Sequence, residues 1–365
     1  MTLHDSVRRR FLADDRTGTD ARQVLTELVR TEAPLATEGE AEDLVDALWA
    51  ELVGLGPLEP LLRDDEVSDV LVNGPGEVWV ERLGQLERTG VVLDADELAV
   101  VVERAFRREG PGVDRSRPIG DARLDGGARI SVVLPPAAVD GPVVAVRRFA
   151  AKPVPLDAFA PESVANWLTD AVTERANVVV FGATGAGKTT LLNALGAVID
   201  PRLRVVTIEE AAELRLPLPH VVRLECRRSN AEGTGAIELR SLVRAALRLR
   251  PDRIVVGEVR GPEALDMIWA LASGHDGSLS TCHARSATEA LARLETFVMM
   301  ADAGLPLAAV RAQILSAIDV LVGVTRDGAR RRVSSIHRVR RVAEGGQLSP
   351  VLLDGQWIRT PEPGS

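Results

Sequence analysis

The segment NVVVFGATGAGKTTLL, residues 177–192, restricts this chain more than any other stretch of it. The apolar run 178–181 predicts a buried parallel strand, which a glycine turn and then a helix start follow. Gly182, Gly187, Lys188 and Thr189 fit the phosphate-binding pattern G-x-x-x-x-G-K-[ST]. Backbone N–H groups can wrap around phosphate oxygens only where glycine removes the obstructing side chain. The helix beginning at the loop adds the positive end of its dipole. Lys188 would bring charge to the β/γ-phosphates and Thr189 a hydroxyl to Mg²⁺. Ala183, Thr184, Gly185, Ala186 and Thr190 complete the candidate nucleotide-binding stretch. The plainer alternative is a glycine-rich turn with a solvated lysine. Lys152 and Lys188 are the only two lysines in the sequence, which sharpens the match.

A length of 365 residues allows two or three domains, and 45% hydrophobic content allows a large core. No uninterrupted apolar stretch reaches transmembrane length. The opening MTLHDSVRRRFLADD lacks the apolar region of a signal peptide. A soluble, cytoplasmic chain is expected. Cys226 and Cys282 give no disulfide framework and are expected to be packed thiols. A net charge of −9 argues against broad nucleic-acid coating. Arginines gather at Arg227 and Arg228, at Arg244, Arg248, Arg250 and Arg253, and at Arg330, Arg331 and Arg332. Such clusters are expected on solvated faces or in subunit contacts.

Four regions follow from patterning. Residues 1–55 form a helical N-terminal segment, with helices over 21–30 and 40–53. Residues 56–150 form a small α/β domain, with strands over 67–72, 77–82, 128–134 and 143–149 and a helix over 96–108. The turns at 73–76 and 125–127 separate them. Residues 151–161 hold three prolines and read as a linker. Residues 162–365 alternate helix and strand. Helices are expected over 162–174, 236–249, 262–272 and 286–300, beside the one after the glycine turn. Strands are expected over 204–208, 221–225, 253–256 and 278–283. This order implies a mostly parallel sheet with helices on both faces. From Asp319 the chain reads as short strands with an Asp327-Gly328 hairpin turn.

Further motifs surround the loop. RIVVGEVR, residues 253–260, is an apolar strand ending in a carboxylate, Glu258. A carboxylate at the end of a neighbouring strand faces Mg²⁺ and the attacking water in P-loop ATPases. An Asp usually precedes that Glu; here Gly257 does, so Glu258 alone would hold the metal's water shell or orient the nucleophile. An ordinary strand-end glutamate is the alternative. VVTIEEAAEL, residues 205–214, ends a strand in Glu209 and Glu210, which would point at the γ-phosphate or else cap a helix. GHDGSLSTCHA, residues 274–284, holds His275 and His283, with Cys282 beside the second. A metal site, a γ-phosphate or subunit sensor at His283, and a satisfied histidine are the open readings. DARLDGGARI, residues 121–130, and VAVRRF, residues 144–149, place Arg123, Arg129, Arg147 and Arg148 in the small domain, suited to bidentate phosphate recognition or else to plain surface charge.

These motifs occur together in one order, and the chain from about 55 to 341 resembles the type II/type IV secretion ATPase superfamily. Within it, the chain resembles the tight-adherence (Tad/Flp) pilus-assembly branch. The resemblance rests on GPLEPLLRDDEVSDVLVNGP, DARLDGGARISVVLPP, FGATGAGKTTLLN and TIEEAAEL, and above all on RPDRIVVGEVRGPEALDM followed by GHDGSLSTCHA. It implies a RecA-like P-loop NTPase domain behind a smaller α/β domain, with ATP and Mg²⁺ bound between them. GATGAGKTT would be Walker A, with Thr189 and Glu258 toward the metal. Glu209 and Glu210 would be the acidic box, Glu258 the acid of an atypical Walker B, and His283 the centre of a histidine box. Arg123, Arg129, Arg147 and Arg148 would match arginines that approach the nucleotide. The family forms hexameric rings at the cytoplasmic face of the inner membrane, docked to platform proteins and powering pilus assembly or secretion. The chain departs from the family in Glu210, where Asp is usual, in the turn 125–128, and in Cys282. A motor acting directly on nucleic acid in conjugative transfer is the competing expectation, and an ATP-gated scaffold a further one. Acidic charge and few aromatics oppose the first, since strand binding needs stacking platforms and a basic channel.

Overall fold

The computed structural model describes residues 2–14, 20–107, 112–124, 127–148, 154–227, 229, 233–328, 330–342 and 345–358. Arg108, Asp125, Gly126, Phe149, residues 151–153 and Arg228, which enter the expectations above, lie outside the described residues. The chain divides into two compact units, Met1–Phe149 and Ala150–Ser365.

The first unit opens with helices α1 (Leu3–Leu12), α2 (Ala21–Glu32) and α3 (Glu38–Leu52). Thr2, Asp20 and Thr37 cap their N-termini by accepting from the backbone N–H three residues on, and Thr2 and Thr37 complete capping boxes. Val7, Leu25, Val29 and Leu48 form the centre of this bundle. The short α4 (Glu59–Arg63) leads into strands β1 (Val67–Asn73), β2 (Gly76–Arg82) and β3 (Gln85–Leu93), and then into α5 (Ala95–Phe106). β4 (Ile119–Arg123), β5 (Arg129–Val133) and β6 (Val143–Arg147) complete an antiparallel sheet in the order β3-β2-β1-β6-β5-β4. Val70, Val80, Ile130, Val132 and Val146 point at Leu98, Val101 and Val102 of α5, with the period of two that one buried face imposes. Among the described residues six strands stand where patterning gives four. β3 buries only Leu93 fully, so it shows no apolar alternation to read.

The second unit runs α6 (Glu162–Thr173), β7 (Val178–Gly182), α7 (Lys188–Ala197), β8 (Val205–Glu209), β9 (Val221–Glu225), α8 (Leu239–Ala246) and β10 (Arg253–Val259). α9 (Glu263–Ala272), β11 (Leu279–His283), α10 (Ala287–Met299) and α11 (Leu307–Ala317) follow. Strands β12 (Val320–Asp327), β13 (Arg330–Val342), β14 (Gly345–Leu353) and β15 (Gln356–Trp357) end it. The sheet order is β15-β14-β13-β12-β7-β11-β10-β8-β9, parallel from β12 to β9 and antiparallel from β12 to β15. Every residue of β7 and β8 is buried, as parallel strands covered on both faces require. Val179 and Phe181 face the side of α8–α11, while Val178 and Val180 face α6 and α7. The RecA-like α/β architecture is therefore present.

Three details differ from the patterning. β10 is not next to β7, because β11 lies between them. α8 starts later than 236, because Ile237 is bridged to Arg227. The terminal strands are long rather than short, β13 spanning 13 residues. No helix among the described residues is long and apolar enough to cross a membrane.

Candidate active site

The site is assembled at the carboxyl ends of β7, β11, β10 and β8, where open parallel sheets bind ligands. At the end of β7 the chain turns through Gly185 (φ +72°) and Gly187 (φ +99°), left-handed conformations that glycine adopts freely. Gly182 is needed for space, since a Cβ there would lie 2.5 Å from the Val324 carbonyl oxygen. Lys188 opens α7, and the first N–H groups of that helix have no intrahelical acceptor. Its side chain is buried; Nζ donates to the Ala183 carbonyl at 3.3 Å and lies 3.6 Å from Glu258 Oε1.

Glu258 is the one residue of β10 that is not buried. Its Oε2 accepts from Arg260 at 2.5 Å, and Arg260 also reaches Glu210 Oε2 at 3.4 Å. Glu263 fixes that arginine's backbone by accepting from the N–H groups of Arg260 (2.7 Å) and Gly261 (2.9 Å). Lys188, Glu258, Arg260 and Glu210 thus form an alternating chain of charges.

Glu209 is committed to backbone N–H groups. It is 3% exposed, and its Oε1 accepts from the N–H groups of Glu213 and Leu214, each at 2.9 Å. Its Oε2 is buried with no hydrogen-bond partner among the described residues, and burial pushes the carboxyl up to about 7. A Cβ on Gly257 would stand 2.9 Å from Glu209 Cγ. An aspartate before Glu258 would therefore collide with Glu209, which accounts for the glycine.

His283 ends β11, between β7 and β10, with Nδ1 3.4 Å from Thr184 Oγ1. His275 precedes the opposite end of that strand and bonds the Ala270 carbonyl at 3.2 Å. The two histidines do not converge, and among the described residues no three His, Cys, Asp or Glu side chains do. Cys282 is buried, which pushes its thiol up to about 12, and the half-buried Cys226 rises to about 11.

The four arginines of the first unit divide. Arg123 pairs with Arg129, Arg129 with Arg147, and Arg147 with Asp69 across adjacent strands. Direct partners share a face, so three of the arginines form a row opposite the buried Ala122, Ile130, Val146 and Val70. Arg147 Nε donates to Asp69 at 3.0 Å, and Arg129 lies 3.6 Å from Asp121. Arg148, one residue on, is engaged elsewhere. It donates to the carbonyls of Asp64 and Val67 and lies 3.4 Å from Asp65.

The other arginine clusters are not uniformly solvated. Arg253 is 2% exposed and donates to the Gly277 carbonyl at 3.0 Å. Arg240 and Arg244 each donate to the buried Asp266 at 2.6 Å. Arg331 lies against the phosphate-binding loop: a Cβ on Gly187 would be 2.5 Å from Arg331 Cδ, and one on Gly185 would be 4.0 Å from Arg326 Nη1. The Asp327-Gly328 turn was the available signal for these two, since a tight hairpin there sets Arg326 opposite Arg331.

Residues 51–337 match the family described as Type II/IV secretion system protein. The chain belongs to that family. It is 42% identical over 322 residues to a putative conjugal transfer protein of Mycobacterium tuberculosis, covering 84% of this chain and 91% of that one. It is 37% identical over 315 residues to the type IV secretion system protein PtlH of Bordetella pertussis, covering 77% and 93%. The ATPase DotB of Legionella pneumophila shares the fold at a TM-score of 0.56 and 20% identity, over 76% of this chain and 78% of that one. The protein is an ATPase of the type II/IV secretion class.

Proposed function

We propose that the chain hydrolyses ATP at residues 182–190, with Glu258 as the acid at the reacting end. The observation that carries this is the buried Lys188 held 3.6 Å from Glu258. An incoming triphosphate would replace Glu258 as the lysine's counter-charge and leave that carboxylate at the γ-phosphoryl group to orient the attacking water. Thr189 and Glu258 supply oxygen donors that suit Mg²⁺, which when bound neutralises phosphate charge. Arg260 keeps the Glu258 carboxylate in place. Glu210 holds Arg260 from the other side, and Glu209 positions the loop that carries Glu210. Thr184 holds His283 at the edge of the loop. The row of Arg123, Arg129 and Arg147 is the first unit's phosphate-suited surface.

We assign the motor to a homo-hexameric ring that works at the cytoplasmic face of the membrane against platform proteins of a pilus or secretion system. The resemblance to the tight-adherence branch supports a pilus role. The names of relatives in Mycobacterium tuberculosis and Rhizobium radiobacter, both conjugal transfer proteins, favour a second reading in conjugative machinery. The net charge of −9 counts against direct contact with a nucleic-acid strand in either case.

Phosphate release from ATP by the purified full chain tests the proposal. Lys188→Ala is expected to abolish turnover. Release by that variant at the wild-type rate would overturn the site assignment.

A further inference from the structure

The loop strand β7 has β11 on one side and β12 on the other. His283, Glu258 and the Glu209–Glu210 pair all lie on the β11 side, on β11, β10 and at the end of β8. A phosphate chain crossing the loop with its γ end toward Glu258 must carry its α end, and the nucleoside, toward β12. Two features of that side have no part in the hydrolytic machinery. Arg326 and Arg331 are direct cross-strand partners, so two guanidinium groups share one face of the β12–β13 hairpin. Both are also anchored at the loop. Arg331 occupies the space a Cβ on Gly187 would need, and Arg326 Nε donates to the Gly328 carbonyl at 3.0 Å, which fixes its planar group 4.0 Å from the Cβ position of Gly185.

We infer that Arg326 and Arg331 form a second phosphate-binding wall, which grips the α- and β-phosphates that ATP and ADP have in common. The inference rests on the proposed nucleotide site and adds to it the side from which the diphosphate is held. The wall serves retention of nucleotide and takes no part in the cleavage step. It also explains why residue 187 must be glycine twice over, for its left-handed backbone and for the room Arg331 takes.

The test is titration of the full chain with a fluorescent ADP and with a non-hydrolysable ATP analogue. The proteins compared are wild type, Lys188→Ala, Arg326→Ala, Arg331→Ala and Arg331→Lys. Each alanine variant is expected to weaken both ligands by the same factor, roughly ten-fold, the loss of one charge-assisted contact. Arg331→Lys is expected to recover part of it. Thermal melting identifies a variant that has lost its fold, and Arg326→Ala then carries the test independently. Wild-type ADP affinity in both alanine variants overturns the inference, as does a loss confined to the ATP analogue. Normal ADP binding by Lys188→Ala would instead overturn the underlying site.

Discussion

Glu209→Gln is expected to stabilise the protein at pH 8 and to lose most of that advantage at pH 5. Glu209 is 3% exposed, with one carboxyl oxygen bonded to two backbone N–H groups and the other without a hydrogen-bond partner among the described residues. Burial dominates and raises its pKa from 4.5 to about 7. A raised carboxyl pKa means that folding favours the protonated form. The stability this group contributes is complete below 4.5 and is lost as pH rises through about 7. At about 1.4 kcal/mol per pH unit the whole effect is about 3 kcal/mol, of which about 2 kcal/mol falls between pH 5 and pH 8. Glutamine keeps the shape and cannot ionise, so the variant's advantage should widen by about 2 kcal/mol over that range. Urea unfolding of both proteins at pH 5, 6, 7 and 8, followed by circular dichroism, measures it. A constant difference would show a carboxyl with an ordinary pKa, and one that narrows as pH rises a lowered pKa; either would refute the buried, half-partnered arrangement.

Other outcomes follow from single contacts. Arg148→Ala removes the donors to the Asp64 and Val67 carbonyls and is expected to destabilise the first unit by about 1–2 kcal/mol. Arg129→Ala, on the exposed row, should stay within about 0.5 kcal/mol in the same denaturation experiment. Asp266→Ala leaves Arg240 and Arg244 without their shared buried acceptor. A loss of about 2–3 kcal/mol is expected, with faster amide exchange across α8.

The sequence revealed the parts of the site that local chemistry dictates. β7, β8 and β10 are continuous apolar runs, and the glycine pattern of the loop permits few conformations. Glu258 was legible for the same reason, as an acid ending such a run. What was hidden depends on pairing. Chain order does not say that β11 separates β7 from β10. In a strand one residue of offset reverses the face, so Arg147 joins the exposed row while Arg148 is committed to backbone carbonyls. Gly257 reads as a departure from an acidic motif until Glu209 is seen packed against it. In sequence Arg331 reads as one of three arginines on a solvated face or in a subunit contact, because only hairpin register brings it to Gly187. β3 was missed because an exposed strand carries no apolar period.

In the proposed division of labour Glu258 acts on the nucleotide's reacting end, while the lysine loop does the binding. The measurement that tests it most directly is paired on one protein, Glu258→Gln: affinity for a fluorescent ATP analogue and the rate of phosphate release at saturating ATP. Affinity is expected within a few-fold of wild type, with release slowed about a hundred-fold or more. Phosphate release near the wild-type rate would contradict it.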